Sequence, residues 1–220
     1  GRISRSQWAV VTDPATEAEL ADGGVGEIWL HGDNIGRGYW GRDRETELSF
    51  RNKLQVRLEH GSHADGVPTN ATWFRTGDMG VFIDGELFIT GRIKDLIIVD
   101  GRNHYPQDIE ATAAEASDAV RAGFVAAFSV TAEELPASAG GTGTGAGERV
   151  VVVAERAPGW GKAGPEPVVE AIRAAVSRRH ALPIADVRLV AAGAIPRTTS
   201  GKLARRACRA EYLAGVLGTR

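Results

Sequence analysis

One stretch, Gly91 to Glu110, does more than any other to limit what this chain can fold into. It reads GRIKDLIIVDGRNHYPQDIE. Leu96 to Val99 is an uncharged apolar run of strand length, and such a run calls for burial. Asp100-Gly101 closes it with a dipeptide that favours a tight hairpin turn. Pro106 stands where a first helical residue would, because its missing N–H leaves no helical bond unmade there. Asp108 and Glu110 then add negative charge at the positive end of a helix. The head of the stretch, Gly91-Arg92-Ile93-Lys94-Asp95, is polar and turn-prone. Sequence on its two sides differs in kind, so the stretch is predicted to join two folded units, residues 1–93 and residues 94–220.

The first unit reads as small, β-rich and turn-rich. Trp8 to Val11 is a short strand ended by Asp13-Pro14, and residues 18–26 form a connection around Gly23-Gly24. Glu27-Ile28-Trp29-Leu30-His31 alternates polar and apolar, the pattern of a half-buried strand. Gly36 to Trp40 (GRGYW) is a loop whose two aromatics are expected to pack into a core. Residues 45–50 suit a short helix. Residues 51–70 are mostly polar and show no period. His60 and His63, with Glu59 and Asp65, admit a metal-site drawing. No further ligand stands at a recognised spacing, so an exposed loop and no metal are expected. Val81 to Ile83 and Glu86 to Thr90 flank Asp84-Gly85 as a hairpin.

Beyond the junction the texture becomes helical and strand-like in turn. Ile109, Ala113, Ala116 and Val120 recur at three- and four-residue steps, predicting an amphipathic helix. Residues 125–130 and 149–156 read as strands, the second centred on Val150 to Val153. Between them, residues 139–147 (AGGTGTGAG) are low in complexity. No Lys-Ser/Thr pair and no helix start follow these glycines, so they are not taken as a phosphate cradle. Residues 165–181 predict a helix with Val168, Ile172, Ala175 and Val176 inward. A third strand over 186–191 and a last helix over 203–217, apolar at Leu203, Ala207, Ala210 and Leu213, complete the order. Hairpin, helix, strand, strand, helix, strand, helix is an α+β layering with apolar surface for a core of its own. The fold class expected is α+β: a small β-rich subdomain joined by a hinge to a compact α+β domain.

Composition narrows the function. The chain's 220 residues can hold one large domain or two small ones. Its 26 Lys and Arg against 28 Asp and Glu, net −2, give no electrostatic case for nucleic acid or an acidic membrane. Cys208 is alone, which excludes an internal disulfide and fits a reducing cytoplasm. No apolar run approaches a membrane span. With no initiator Met and no signal peptide visible, the segment is expected to be cytoplasmic and excised from a longer protein.

Three clusters carry candidate chemistry. In Arg75-Thr76-Gly77-Asp78, a carboxylate beside glycine can accept hydrogen bonds from two vicinal hydroxyls, as on a ribose. For four residues alone, the plainer reading is a polar turn. In Gly91-Arg92 with Lys94-Asp95, an arginine after glycine can approach a ribose or phosphate. The plainer reading is a surface ion pair. In Pro196-Arg197-Thr198-Thr199-Ser200-Gly201-Lys202, small residues make a mobile loop that ends in one ammonium. That ammonium can neutralise charge shared between a carboxylate and a phosphate. A solvated lysine at a helix start would be the bland alternative, but a cation there opposes the helix dipole.

Taken in this order and spacing, GEIWLHGDNIGRGYW, WFRTGD, GRIKDLIIVDGRNHYPQDIE and PRTTSGK resemble the later core motifs of the adenylate-forming superfamily. GRNHYPQDIE resembles its fatty-acyl-AMP ligase branch rather than ordinary acyl-CoA ligases. SQWAVVTDP, SHADG, AAFSV, VVAERAPG and AGAIPRTTSGKLARRACRAEYL look like the members of that branch that serve mycolic-acid synthesis. The resemblance covers nearly the whole chain. It implies an ATP-dependent ligase that converts a long-chain fatty acid to acyl-AMP and passes the acyl group to the acyl carrier domain of a polyketide synthase. It implies that Asp78 holds the ribose hydroxyls, that Arg92 adds a second ribose contact, and that Lys202 is the adenylation lysine. Lys94 and Asp95 would be the hinge about which the second unit turns between two half-reactions. The family's Ser/Thr phosphate loop, adenine pocket, acyl tunnel, magnesium-binding acid and characteristic insertion are expected before Gly1. The segment alone is therefore expected to be inactive, with ATP and Mg as cofactors of the whole. An acyl-CoA ligase, or a non-catalytic module of the same fold, are the rival readings.

Other residues have plainer expectations. His104 falls either near a pantetheine path or in a structural hydrogen bond. His180 closes a helix, and Cys208 is a small packed residue. Trp160 is a candidate partner contact. Arg205, Arg206 and Arg209 form either a solvated helix face or a surface for an acidic carrier domain.

Overall fold

A computed structural model describes residues 7–136, 147–160 and 164–218, and the fold is α+β. The chain divides into two compact units, Gly1–Lys94 and Asp95–Arg220.

The first unit is built on a four-stranded antiparallel sheet in sequence order: β1 (Gln7–Thr12), β2 (Gly26–Gly32), β3 (Phe74–Ile83) and β4 (Glu86–Arg92). Side chains on a strand alternate between faces, and that period sorts its apolar residues. Val11, Ile28 and Phe82 cluster together, while Val10 and Trp29 pack with Trp73, Ala64 and Val67. The polar run over 51–70 therefore does not lie free in solvent as expected. Glu19, 4% exposed, accepts the Leu58 N–H (3.1 Å), the His63 N–H (2.8 Å) and the Ser62 hydroxyl (2.7 Å). One buried carboxylate organises a segment that has no periodicity of its own. His63 stacks on Phe82 at 3.6 Å and bonds Asp22 at 2.8 Å, which holds the Asp22 carboxyl below its usual range. No cluster of His, Cys, Asp or Glu among the described residues could hold a metal ion.

The GRGYW aromatics also depart from expectation. Trp40 is fully exposed, and Tyr39 is half exposed, edge-on to Phe50. The segment folds back on helix α1 (Asp43–Phe50) rather than into the sheet. Thr46 accepts the Tyr39 N–H at 2.9 Å. Gly38, at φ +150°, lies so close that a Cβ there would fall 2.3 Å from the Thr46 methyl.

The second unit begins with a hairpin, β5 (Ile97–Val99) and β6 (Arg102–His104). Asp100 and Gly101 both take positive φ, the backbone that a two-residue hairpin turn needs. Then follow α2 (Pro106–Glu115), β7 (Val120–Thr131), β8 (Glu148–Arg156), α3 (Glu166–His180), β9 (Ile184–Val190) and α4 (Arg205–Leu213). β7 and β8 pair antiparallel, β8 and β9 parallel. Parallel neighbours need a crossover, and α3 supplies it. Central β8 is buried on both faces. Val150, Val152 and Ala154 meet Ile109, Ala113, Val168, Ile172 and Val176 from α2 and α3. Val151 and Val153 meet Ile195, Cys208 and Tyr212 on the other side.

Two predicted helices need correction. α2 ends at Glu115, so Val120 opens β7 instead of extending the helical face. α4 buries Cys208 and Tyr212, and leaves Ala207 and Ala210 exposed. Leu203 lies ahead of α4, bridged to Arg197, so it does not set the phase of that helix. The glycine-rich loop expected over 139–147 falls, but for Gly147, outside the described residues. No helix among the described residues is long and apolar enough to cross a membrane.

Candidate functional site

In the first unit the site residues lie in the sheet, not in a loop. Arg75, Thr76, Gly77 and Asp78 belong to β3, and Asp78 stands opposite Arg92 of β4. Arg92 Nε is 2.8 Å from Asp78 Oδ1. The surrounding bonds fix this arrangement. Glu27 of β2, 2% exposed, takes Arg75 Nη2 at 2.7 Å, the Trp29 indole N–H at 3.0 Å and the Gly77 N–H at 3.2 Å. The Thr76 hydroxyl donates to the Ile28 carbonyl (2.8 Å) and accepts the Asp78 N–H (3.0 Å). Gly77 supplies a positive φ of 73°, and the β3–β4 register shifts just after, between Met79 and Gly80. The Asp78 carboxylate is thus aimed by its neighbours while one oxygen is shared with an exposed arginine. A carboxylate offers about four acceptor sites, so it keeps capacity for vicinal hydroxyls. An exposed ion pair of this kind is weak enough to open to a ligand.

In the second unit, the PRTTSGK segment is a closed turn rather than the mobile loop expected. Arg197 bridges to Leu203. The Thr198 N–H bonds the Lys202 carbonyl (2.8 Å), the Gly201 N–H bonds the Thr198 carbonyl (2.8 Å), and the Lys202 N–H bonds Thr198 Oγ1 (3.1 Å). Gly201 takes the positive φ, 79°, that this closure requires. Lys202 precedes α4, which starts at Arg205, so it escapes the unfavourable end of that helix. It is exposed, and its ammonium makes no ion pair among the described residues.

Lys94 and Asp95 lie in one 3-10 turn, Ile93–Asp95. Lys94 is exposed. Asp95 is not free in solvent as the polar sequence suggested: its Oδ2 is 3.6 Å from Arg205 Nη1. Arg205 also grips Glu110 with two bonds of 2.6 and 2.7 Å, and these pull its pKa upward. Arg209 bonds the Ser129 carbonyl at 2.9 Å and Glu134 at 2.7 Å. Of the arginine cluster, two members are committed to this unit's own acids, and Arg206 stays exposed. Burial, with His180 and Arg102 near, keeps the His104 pKa below its usual value. His180 itself is 2.7 Å from the Thr112 hydroxyl. Trp160 is half exposed. Cys208 is fully buried, and that burial pushes its thiol up to about 12.

Glu19, Glu27 and Glu155 were not found from sequence. Each is a single acid in or beside a strand, with partners distant along the chain, so no spacing marked it.

No protein-family model matches the chain. Among solved structures, fatty acyl-adenylate ligases from E. coli and L. pneumophila give a TM-score of 0.68 at 27% identity, over 96% of this chain and 31% of that one. ATP-bound MatB from Rhodopseudomonas palustris gives 0.69 at 27% identity, over 98% of this chain and 36% of that one. The fold is thus that found in the C-terminal part of adenylate-forming enzymes. In sequence, the long-chain-fatty-acid–AMP ligase FadD32 of Mycolicibacterium smegmatis is 53% identical over 225 residues, 99% of this chain and 36% of that enzyme. The match falls in the enzyme's C-terminal part, so the chain spans about a third of the length of the curated relatives it matches. By sequence and fold the chain resembles the fatty-acyl-AMP ligase branch of the adenylate-forming superfamily.

Proposed function

We propose that this segment supplies the ribose grip and the movable lysine of a long-chain fatty-acyl-AMP ligase. The observation that carries the reading is the 53% identity to such a ligase across 99% of the chain. The whole protein would join a fatty acid to ATP. A carboxylate oxygen of the acid attacks the α-phosphorus, the bond to pyrophosphate breaks, and acyl-AMP and pyrophosphate result. In a second step the thiol of a polyketide synthase acyl carrier domain attacks the acyl carbon, AMP leaves, and the thiol proton passes to solvent. The acyl group is then available for mycolic-acid-type lipid synthesis.

Each side chain has a physical role in this reading. Asp78 accepts hydrogen bonds from the ribose hydroxyls, and Arg92 adds a contact to the same sugar. Lys202 brings a compact positive charge to the oxygens over which negative charge spreads during adenylation. The second unit turns about Lys94-Asp95, so that the lysine attends the first half-reaction and withdraws for the second. Asp95 keeps its contact with Arg205 if the turn falls at Lys94. No group of His, Cys, Asp or Glu among the described residues could hold a magnesium ion, and the acid that would bind it is proposed to lie outside them. These residues include no glycine-rich Ser/Thr phosphate loop, and the segment by itself is proposed not to activate a fatty acid.

Product analysis tests the reading. The complete protein, given ATP and labelled fatty acids of graded length, should form acyl-AMP and acylate a carrier domain. The 220-residue segment should show no ATP–pyrophosphate exchange. Acyl-CoA as the main product would favour a CoA ligase, and robust exchange by the segment would contradict the division of labour.

A further inference from the structure

We infer that Arg197, backed by the buried carboxylate of Glu155, is a positioning residue for Lys202. The inference rests on the adenylation role proposed above and adds the device that fixes the lysine in place. The bonds inside the 197–203 turn set its shape but not its location on the unit. Two other contacts set the location. Glu155 is the next-to-last residue of β8, just past the Val150–Val153 run, and has 0% exposure. Its Oε1 accepts the Ile195 N–H at 3.0 Å, which fixes the backbone entering the turn. Its Oε2 accepts Arg121 Nη1 at 2.8 Å. The Arg121 guanidinium packs 3.4 Å from the centre of the Phe124 ring, and the Arg197 guanidinium packs 3.9 Å from the same ring. Arg197 then forks: Nη1 donates to the Gly201 carbonyl at 2.6 Å, and Nη2 donates to the Gly123 carbonyl at 2.5 Å. Gly201 is the residue before Lys202. Gly123 takes φ +75° where the β7–β8 register shifts between Val120 and Val125.

The arrangement ties the residue next to the lysine to an irregularity in β7, and ties the start of the turn to the C-terminal end of β8. A fully buried carboxylate seldom repays its desolvation through stability alone, so its place directly after the apolar run of β8 points to a specific geometric use. The use fits the chemistry. A catalytic cation carried on a turning unit is effective only if it stays rigid on that unit. A displacement of about 1 Å costs on the order of 100-fold in rate. The planar fork of arginine bridges two carbonyls with its ring-stacked face held flat, and the point charge of lysine does not reproduce it.

The test compares Arg197→Ala, Arg197→Lys, Glu155→Gln and, as a reference, Lys202→Ala in the complete protein. Arg197 is exposed, so its replacements should leave thermal unfolding close to that of the parent. We expect Arg197→Ala to lower kcat for ATP–pyrophosphate exchange about 10–100-fold, with KM for ATP and the transfer of preformed acyl-AMP changed by less than about two-fold. Arg197→Lys should not restore the rate, and amide exchange across residues 197–203 should quicken in both variants. Glu155→Gln should lower kcat in the same direction. An unchanged exchange rate in Arg197→Ala, full rescue by lysine, or equal losses in both half-reactions would overturn the inference. If Lys202→Ala collapses exchange while Arg197→Ala does not, the positioning role alone fails. If Lys202→Ala leaves exchange intact, the adenylation reading itself fails.

Discussion

Glu27 and Glu155 play parallel parts in the two units. Each is a carboxylate at 2% exposure or less, on a strand, holding one arginine and at least one backbone N–H. Glu27 holds the N–H of Gly77, beside Asp78, and Glu155 holds the N–H of Ile195, at the entry to the turn that carries Lys202. His104 offers a different residue-scale test. Its folded pKa is lowered, chiefly by burial, so the folded state binds its proton less readily than the unfolded state. Stability from this residue is therefore present above the unfolded value near 6.5 and is lost as pH falls through it. Between pH 7.5 and 5.5 the urea midpoint of the second unit should drop more in the parent than in His104→Gln; equal slopes would remove His104 from the account. Asp78, Arg92 and Lys202 were singled out in the sequence because each sits in a compact motif. Glu27 and Glu155 were not, because their arginine partners stand 48 and 34 residues away and only folding brings them together.

At the scale of elements, the valine run of β8 and the spacing of α3 were plain from the chain. Continuous burial and a 3.6-residue period leave little choice of structure. Ile172 of α3 is fully buried against β8 and α2, so Ile172→Ala should destabilise the second unit by about 2–5 kcal/mol. Urea denaturation measures this; a loss well under 1 kcal/mol would mean the α3 face is not packed as described. Elements were misread where tertiary contacts outweighed local pattern. The 51–70 segment has no period because Glu19 and His63, not a repeating apolar stripe, hold it down. The GRGYW aromatics stay outside because their backbone follows α1. The phase of α4 follows Cys208 and Tyr212, with Tyr212 bonded to Asp186 at 2.7 Å. Its arginines at 205 and 209, which suggested an open basic face, are instead the clamps that fasten the helix to Glu110 and Glu134.

At the scale of the whole molecule, the chain falls into two units whose boundary lies between Lys94 and Asp95. In the proposed mechanism the ribose grip belongs to the first unit and the adenylation lysine to the second. Each is prepared by its own internal network, so the turning step carries preformed parts and rebuilds neither. Replacing Lys202 by alanine in the complete protein separates the two half-reactions most directly. ATP–pyrophosphate exchange should fall by about 10²–10³-fold, the loss typical of one positioned charge-stabilising group. Transfer of preformed acyl-AMP to the carrier domain should stay within about two-fold of the parent. Exchange that persists, or a transfer step that collapses with it, would contradict the claim that this lysine serves adenylation alone.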